Sequence, residues 1–582
     1  MQAIKKSASF FNTVRQTIFY LKPSEFDSRK AKEEAMKHEI QNAIRVNHRG
    51  FLTSSQKRFV LTENKTGSDC FLVVLVDNVR EITVFEGKLK PYYENGQALY
   101  EGDFSAISAT GDYFILAGGF KSRQFVIYDG AYDICNRIML EYFTYQRCGH
   151  PLGWNGTCHT DDGIIKETGK RVDLSGGYHQ SCDLRKSPGG VSIGVLGMLR
   201  FALNDKSEWG KILVNDEVQW ALEYFVKTIQ ENGVMYNTLN APFGWGGREF
   251  YKSGAPSSAQ WNTTSILALG YIYLKDKNEA LAKKCLEMAL LSYDYMTSDK
   301  RPKEVYKHPE KYPMGMDPDS FYEQCRVGET SDYAYQITAS ADLYYATGEG
   351  KYLEVIKKSL PYVQNSIRND FVLMRADNNE KTVSATCSYS WLMSGLLSLC
   401  DAYELLGDYN GLKKILKNAL DSICTYADKS VWHTLQKLYS NADLDVVDGH
   451  LNKPRREGMQ CLMAYKDFYY VGNAELEPSH DCYMGIFLAR GARLLKNDKY
   501  MAYAQSVVDN LLGTNSLDSS HIRSIGYNNP QHHAYGQFFP STPFIPGAIG
   551  IGYNTIDVYE NSAEYDMPCV GIAMYLLSEI TK

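Results

Sequence analysis

The stretch GDYFILAGGFKSRQFVIYDGAYDICNRIMLEYFTYQRC, Gly111–Cys148, changes its period halfway along. Up to Gly130 it is made of short runs rich in Phe, Ile, Val and Tyr, broken by glycine, lysine and aspartate, which is the pattern of strands and turns. After Tyr132 the apolar residues return every three or four positions, the pattern of an amphipathic helix. The chain passes here from a β region to an α region, and each side can be followed outward.

Towards the N-terminus, AIRVNHRGF from Ala43, KRFVLTE from Lys57, CFLVVLVD from Cys70 and EITVFEGKL from Glu81 repeat the short-run pattern. They predict a small antiparallel β-sandwich over residues 43–130, preceded by an amphipathic or irregular extension, 1–42. Towards the C-terminus, VSIGVLGMLRFAL, NTTSILALGYIYL and ITASADLYYAT carry helical periods, and about a dozen helices are expected over 131–582. Several meet in short polar joints, as in YIYLKDKNEALAKKCL, YYATGEGKYLEVIKKSL, ELLGDYNGLKKIL and RLLKNDKYMAYAQSVV. Such hairpins build either an open solenoid or a closed ring. The long irregular segments 148–188, 300–330, 440–478 and 514–562 favour the ring, because loops of that length usually carry function and together would wall a cleft.

Composition narrows the function classes. A chain of 582 residues, 44% hydrophobic and 22% charged, is that of a folded protein with one large and one small domain. Its net charge is −6, with Lys and Arg spread along the chain, so no basic stripe is available for nucleic acid. Forty-three tyrosines supply flat faces with a polar rim, suited to core packing or to stacking on sugar rings. Thirteen irregularly spaced cysteines read as reduced thiols with a few metal ligands, not as a disulfide framework. The opening MQAIKKSASFFNTVRQTIFYLKPSEF lacks a cleavage pattern, and no run is apolar enough to span a bilayer. A cytoplasmic protein without a membrane partner is expected.

Ordered landmarks over nearly the whole chain resemble glycoside hydrolase family 9, whose members include cellulases with an immunoglobulin-like domain before an (α/α)6 barrel. IRVNHRGFL resembles that family's RVNQxGY strand. YFTYQRCG, CHTDD and DLSGGYHQSCDL follow in the family's order, and LLGTNSLDSSHIRSIGYNNPQHH, IPGAIGIGYN and YENSAEYDMPCVG close the chain. The resemblance implies a mainly α fold, an (α/α)6 barrel over 131–582 preceded by a small immunoglobulin-like β-sandwich over 43–130.

It also implies a site. DLSGGYHQSCDL resembles DVSGGWHDAGDYxKY, in which the last aspartate is the catalytic base and the first helps to hold the attacking water. Carried over, Asp183 is the base and Gln180 takes the helper's place. An amide there can accept a hydrogen bond from water but brings no negative charge. YENSAEYDMPCVG resembles NEVAIDWNAPLV, and the register set by Pro568 and Val570 makes Glu560 the general acid, with Glu564 as the rival assignment. An inverting hydrolase holds two such carboxyls about 6.5 to 9.5 Å apart so that a water fits between base and sugar. PQHHAYGQ resembles the family's PHHR segment, so His532 and His533 are implied to bind sugar hydroxyls, while Ala534 replaces the arginine. Trp154, Trp245 and Tyr565 are candidates for stacking on a sugar face or for the core.

Cys148, His150, Cys158, His159 and His179 supply thiolates and imidazoles enough for a closed tetrahedral zinc site. The resemblance selects Cys148, Cys158, His159 and His179, with His150 as a substitute and Cys182 outside the set. Many family members also bind calcium, though no loop here demands it. The expected activity is that of an inverting β-glycosidase on short, imported β-1,4-linked gluco-oligosaccharides. Alternatives are an exo-β-D-glucosaminidase, with Asp161 or Asp162 pairing with the 2-ammonium group, and a degenerate carbohydrate-binding protein suggested by Gln180 and Ala534.

Overall fold

The computed structural model of the protein describes residues 43–94, 96–151, 157–165, 168–181, 186–239, 250–255, 257–301, 330–365, 367, 391–434, 437–440, 461–465, 468–471, 475–476, 478–530, 545–550, 553–554 and 565–582. The expected extension, 1–42, lies outside them.

Nine short strands between Ile44 and Ile127 form two antiparallel sheets. One has the order β1 (Ile44–Arg45), β2 (Arg58–Leu61), β6 (Gln97–Asp103), β5 (Lys90–Glu94). The other has the order β4 (Arg80–Lys88), β3 (Cys70–Asp77), β7 (Gly111–Ala117), β8 (Phe120–Lys121), and β9 (Phe125–Ile127) also pairs with β7. Between the sheets lie Phe51, Phe59, Phe71, Val73, Phe104, Ile115 and Phe125, most contributed by alternate strand positions, as expected for a sandwich with one buried face per sheet. Its rings meet edge to face, for example Phe59 against Phe71 at 4.9 Å.

Twelve helices follow among the described residues. They are α1 (Asp133–Gln146), α2 (Pro188–Asn204), α3 (Gly210–Thr228), α4 (Ser257–Leu274), α5 (Glu279–Thr297), α6 (Thr330–Thr347), α7 (Lys351–Asn365), α8 (Trp391–Leu406), α9 (Leu412–Ala427), α10 (Pro478–Leu495), α11 (Asp498–Leu511) and α12 (Met567–Thr581). The even-numbered helices α2, α4, α6, α8, α10 and α12 pack each against the next, and α12 packs on α2, so the ring closes. The alternating odd-numbered helices form an outer layer. Burial separates the two layers. Every residue of α12 from Met567 to Glu579 is buried. The outer α7 buries Tyr352, Ile356, Leu360 and Val363 at helical spacing and turns its lysines outwards.

The α2–α12 seam is closed by backbone contact. A Cβ on Gly571 would stand 2.0 Å from the Gly194 carbonyl oxygen, and one on Gly197 would stand 2.3 Å from the carbonyl of Gly571. Only glycine permits that approach. The N-termini of the six inner helices share one end of the ring. The long connections that precede them, over which the sequence predicts functional loops, therefore leave from that end.

The sandwich docks on the outer layer. Asn47 donates to Asp509 Oδ1 (2.8 Å), and His48 Nε2 lies 3.1 Å from Asp518, which also faces Arg45 and Arg123. Farther along, Glu94 accepts from Ser430 and from the amide of Val431, and His433 Nε2 meets Glu101 at 2.8 Å. Burial pushes the Asp509 carboxyl up to about 7, against the hydrogen bonds from Asn47 and Gln505. Its ordinary value is 3.8, so between these two values the folded chain holds a proton that the unfolded chain releases. This contribution to stability is present at low pH and is lost as pH rises through about 7. The thermal midpoint of Asp509→Asn, relative to the native protein, is therefore expected to rise by a few degrees between about pH 4 and pH 8. A difference independent of pH in thermal denaturation would contradict this. Among the described residues, no helix is long and apolar enough to cross a membrane.

Candidate active site

The end of α1 and the segment before α2 run side by side. Cys148 N donates to Gly177 O (2.8 Å), His179 N donates to Gln146 O (2.9 Å), and Arg147 and Tyr178 form a bridge between these contacts. Both segments are fastened to α3. Arg147 pairs with Glu217 at 2.9 Å, the Tyr178 hydroxyl donates to Glu217 at 2.7 Å, and Trp220 Nε1 donates to Gly177 O. The pairing sets Cys148 beside His179. Cys158 and His159 complete a buried group whose ligand atoms all lie within 4.8 Å of one another. His159 takes a left-handed backbone conformation, φ +52°, uncommon for a residue with a side chain.

Two thiols and two imidazoles in that space match the donor set of a closed tetrahedral metal site, so the group can hold a metal ion. The Cys158 thiol is held far below its ordinary range by a hydrogen bond with Cys148, reinforced by His159 and His179 and opposed by burial. Burial lowers His179, against the pull of Cys158. Both directions lead to the forms that bind metal, thiolate and neutral imidazole. His150 lies outside this group, edge-on to Trp220 at 5.2 Å.

After His179 the chain crosses to the seam. Met567 N donates to Gln180 O (2.9 Å), Ser181 bridges to Asp566, and Gln180 Nε2 contacts Asp566 Oδ1 at 3.4 Å. The segment is fastened again at Lys186, which is fully buried. Its Nζ lies 3.3 Å from Asp162 Oδ2 and also donates to Leu174 O, and Tyr251 donates to the same Asp162 oxygen. Ser187 then caps α2 through the amide of Gly190. Leu174 and Lys186 are thus joined on either side of the stretch that contains His179 and, in sequence, the expected base.

The remaining expected residues divide as follows. Asp183, Glu560, His532, His533, Trp154 and Trp245 lie outside the described residues, as do Glu564, Cys182 and Ala534. Tyr565 is described, and it corrects one expectation. Its side chain is 1% exposed and meets Tyr142 edge-on at 5.8 Å, so it is a core ring and offers no open face to a sugar. Asp162 is occupied by Lys186 and Tyr251, whereas Asp161 is exposed and lies 3.6 Å from Arg171. Sequence reasoning missed the contact of Asp566 with Gln180. The available signal was the acidic residue standing where the family motif NEVAIDWNAPLV has its second asparagine.

The family model described as glycosyl hydrolase family 9 matches residues 132–563, and that of the cellulase N-terminal ig-like domain matches residues 39–122. The cellodextrinase of Butyrivibrio fibrisolvens is 24% identical over 524 residues, covering 84% of this chain and 86% of its own. A solved structure named Bacteroides ovatus GH9 superposes with a TM-score of 0.66 at 17% identity, covering 93% of this chain and 98% of its own. A zinc-binding triple mutant of endoglucanase J30 does so with a TM-score of 0.64 at 16% identity, covering 91% and 99%.

Proposed function

Because the chain belongs to glycosyl hydrolase family 9, we propose that it is an inverting β-glycosidase acting on short β-1,4-linked gluco-oligosaccharides, with Asp183 as general base and Glu560 as general acid. The observation that carries this reading is the pairing of Gln180 and Ser181 with Asp566 and Met567. It joins the segment leading into Asp183 to the segment that follows Glu560, at the end of the ring where the inner helices begin. An inverting reaction needs carboxyls from two chain segments on opposite sides of one sugar. Asp183 takes a proton from water as the water oxygen bonds to the anomeric carbon. Glu560 protonates the departing oxygen, which leaves with the bonding pair. His532 and His533 would bind sugar hydroxyls, with Trp154 and Trp245 as stacking faces. The cellodextrinase relative supports the choice of short glucans over polymer.

In this reading the Cys148, Cys158, His159 and His179 group holds zinc. With all four positions taken by protein, the ion would crosslink the loop and would not activate water. No disulfide joins the nine described cysteines, which suits a reducing compartment such as the cytoplasm. Cell fractionation tests the location.

The substrate is tested by incubating the protein with cellobiose, cellotetraose and the chitosan disaccharide, and following the anomers released by NMR. Glucose or cellobiose should appear first as the α-anomer. Cleavage of the amino sugar alone would transfer the assignment to an exo-β-glucosaminidase. Binding without turnover of any of the three would make the protein a carbohydrate-binding one.

A further inference from the structure

We propose that His433 is a pH-sensitive latch between the sandwich and the ring, closed while its imidazole carries two protons and released when it loses one. His433 stands in the segment that follows α9 and is 6% exposed. Its Nε2 lies 2.8 Å from Glu101 Oε1 on β6 and 3.4 Å from the Tyr92 hydroxyl on β5, and its Nδ1 lies 3.3 Å from Asp428 Oδ1. Each of these neighbours is an acceptor towards the ring. The Tyr92 hydroxyl gives its own hydrogen to Glu101 Oε2 and receives one from Lys90, and Asp428 Oδ1 already accepts from the Tyr503 hydroxyl of α11. A neutral imidazole has one N–H and one lone pair, so in either tautomer a lone pair would face a carboxylate. Only the imidazolium satisfies both sides.

His48, which also lies in this interface, differs. Its Nε2 faces Asp518 at 3.1 Å, but its Nδ1 accepts from the Tyr527 amide at 3.2 Å, so a single ring proton serves it. Around His433 the charged and titratable groups come from each element packed on it. They are Lys90, Tyr92 and Glu94 on β5, Glu101 on β6 with Arg58 of β2 at 3.4 Å from its Oε1, Asp428 in the same segment, and Lys499 and Tyr503 on α11. Burial pushes the Glu101 carboxyl up, but His433, Arg58 and Tyr92 together hold it below its ordinary value. Burial also raises Asp428, and His433, Tyr503 and Lys499 bring it below its own. Both carboxylates are therefore charged over the range in which an imidazole titrates, and loss of a ring proton turns one attraction into a repulsion. The latch is closed at acid pH and opens as pH rises. His433 is held in a left-handed backbone conformation, φ +51°, which a residue with a side chain keeps only where its surroundings fix it. Beside it Val60 and Leu99 of the sandwich pack on Val431 and Trp432, an apolar seal that opening of the latch exposes. The contacts of Asn47 and His48 hold the other end of the interface.

Hydrogen exchange of the full chain, read by mass spectrometry on peptides covering residues 90–101 and 428–434, tests the latch, since the Val431 amide donates to Glu94 across this contact. Relative to the intrinsic rate at each pH, native exchange in both peptides should be about tenfold or more faster at about pH 9 than at about pH 6. His433→Asn keeps a donor and suits left-handed backbone, but it carries no charge. It should exchange at the faster relative rate at both pH values. Peptides around Asn47 and Asp509 report the other end of the interface, so titration of Asp509 is read separately. Native protection that does not change with pH in the two peptides, or a His433→Asn variant that retains the native pH dependence, would overturn the inference. If His433→Asn fails to fold, Glu101→Gln decides in its place. By removing one of the two carboxylates it should reduce the pH dependence of exchange to less than about threefold, and an undiminished dependence would overturn the inference equally.

Discussion

Asp183→Ala is expected to lower kcat on cellotetraose by about 10²- to 10⁴-fold while KM changes little. The base acts in the transition state, where it takes the proton that the attacking water must lose, so its removal leaves ground-state binding of the sugar in place. Glu560→Gln should cause a loss of similar size on cellotetraose, for a different reason. Without the acid, the departing sugar leaves as an unprotonated alkoxide. Aryl glycosides with acidic phenols need little protonation, so Glu560→Gln should retain far more activity on them than on cellotetraose, whereas Asp183→Ala should fail on both. Steady-state kinetics on the two substrate types reads the roles separately. Native rates in both variants would show that the chemistry lies elsewhere.

The second large effect concerns the metal. Protein purified without chelators should contain one zinc per chain by elemental analysis, and Cys158→Ser should contain none. A serine hydroxyl does not replace the thiolate that the surroundings of Cys158 favour. Losing the ion removes a crosslink between the end of α1 and the loop before α2, and the thermal midpoint should fall by on the order of 10 °C. Hydrolysis should fall as well, since the released segment includes the stretch between His179 and Lys186 that carries Asp183. Native protein free of zinc, or a variant with unchanged midpoint, would contradict the assignment.

The pattern of the helical half was open to reading from local chemistry. The four polar joints between hairpins stand where expected, for example the turn in which Asn278 caps α5 through the amide of Leu281. Of the sandwich, β3 and β7 follow their apolar runs, but the hairpin of β5 and β6 was passed over. KPYYENGQALYEGD contains few aliphatic residues, yet Asn95-Gly96 within it is a strong hairpin signal, and Glu94 pairs with Gln97 as such a turn requires. Inner and outer helices differ in how far round their apolar surface extends, which the sequence also carries. The cluster of Cys148, Cys158, His159 and His179 was legible because chemistry restricts metal donors to a few residue types and the family resemblance selects these four of the five candidates. Tyr565 was not, since a buried tyrosine and a sugar-stacking tyrosine have the same letter and differ only in what faces them. The Gln180–Asp566 contact joins residues 386 positions apart, so no local pattern announces it.

The glycine seam between α2 and α12 also bears on synthesis. At about 5 to 20 residues per second, roughly 20 to 80 s separate the emergence of α2 from that of α12 on a translating ribosome. Throughout that interval the apolar flank of α2 lacks its neighbour, and the backbone of Gln180 lacks Met567. The growing chain is therefore most prone to aggregation after most of the ring has formed, and it has no assembled catalytic end until its last helix is free. Shortened chains ending before Met567 are the species a chaperone would have to shelter, and none of them would cleave a glucan.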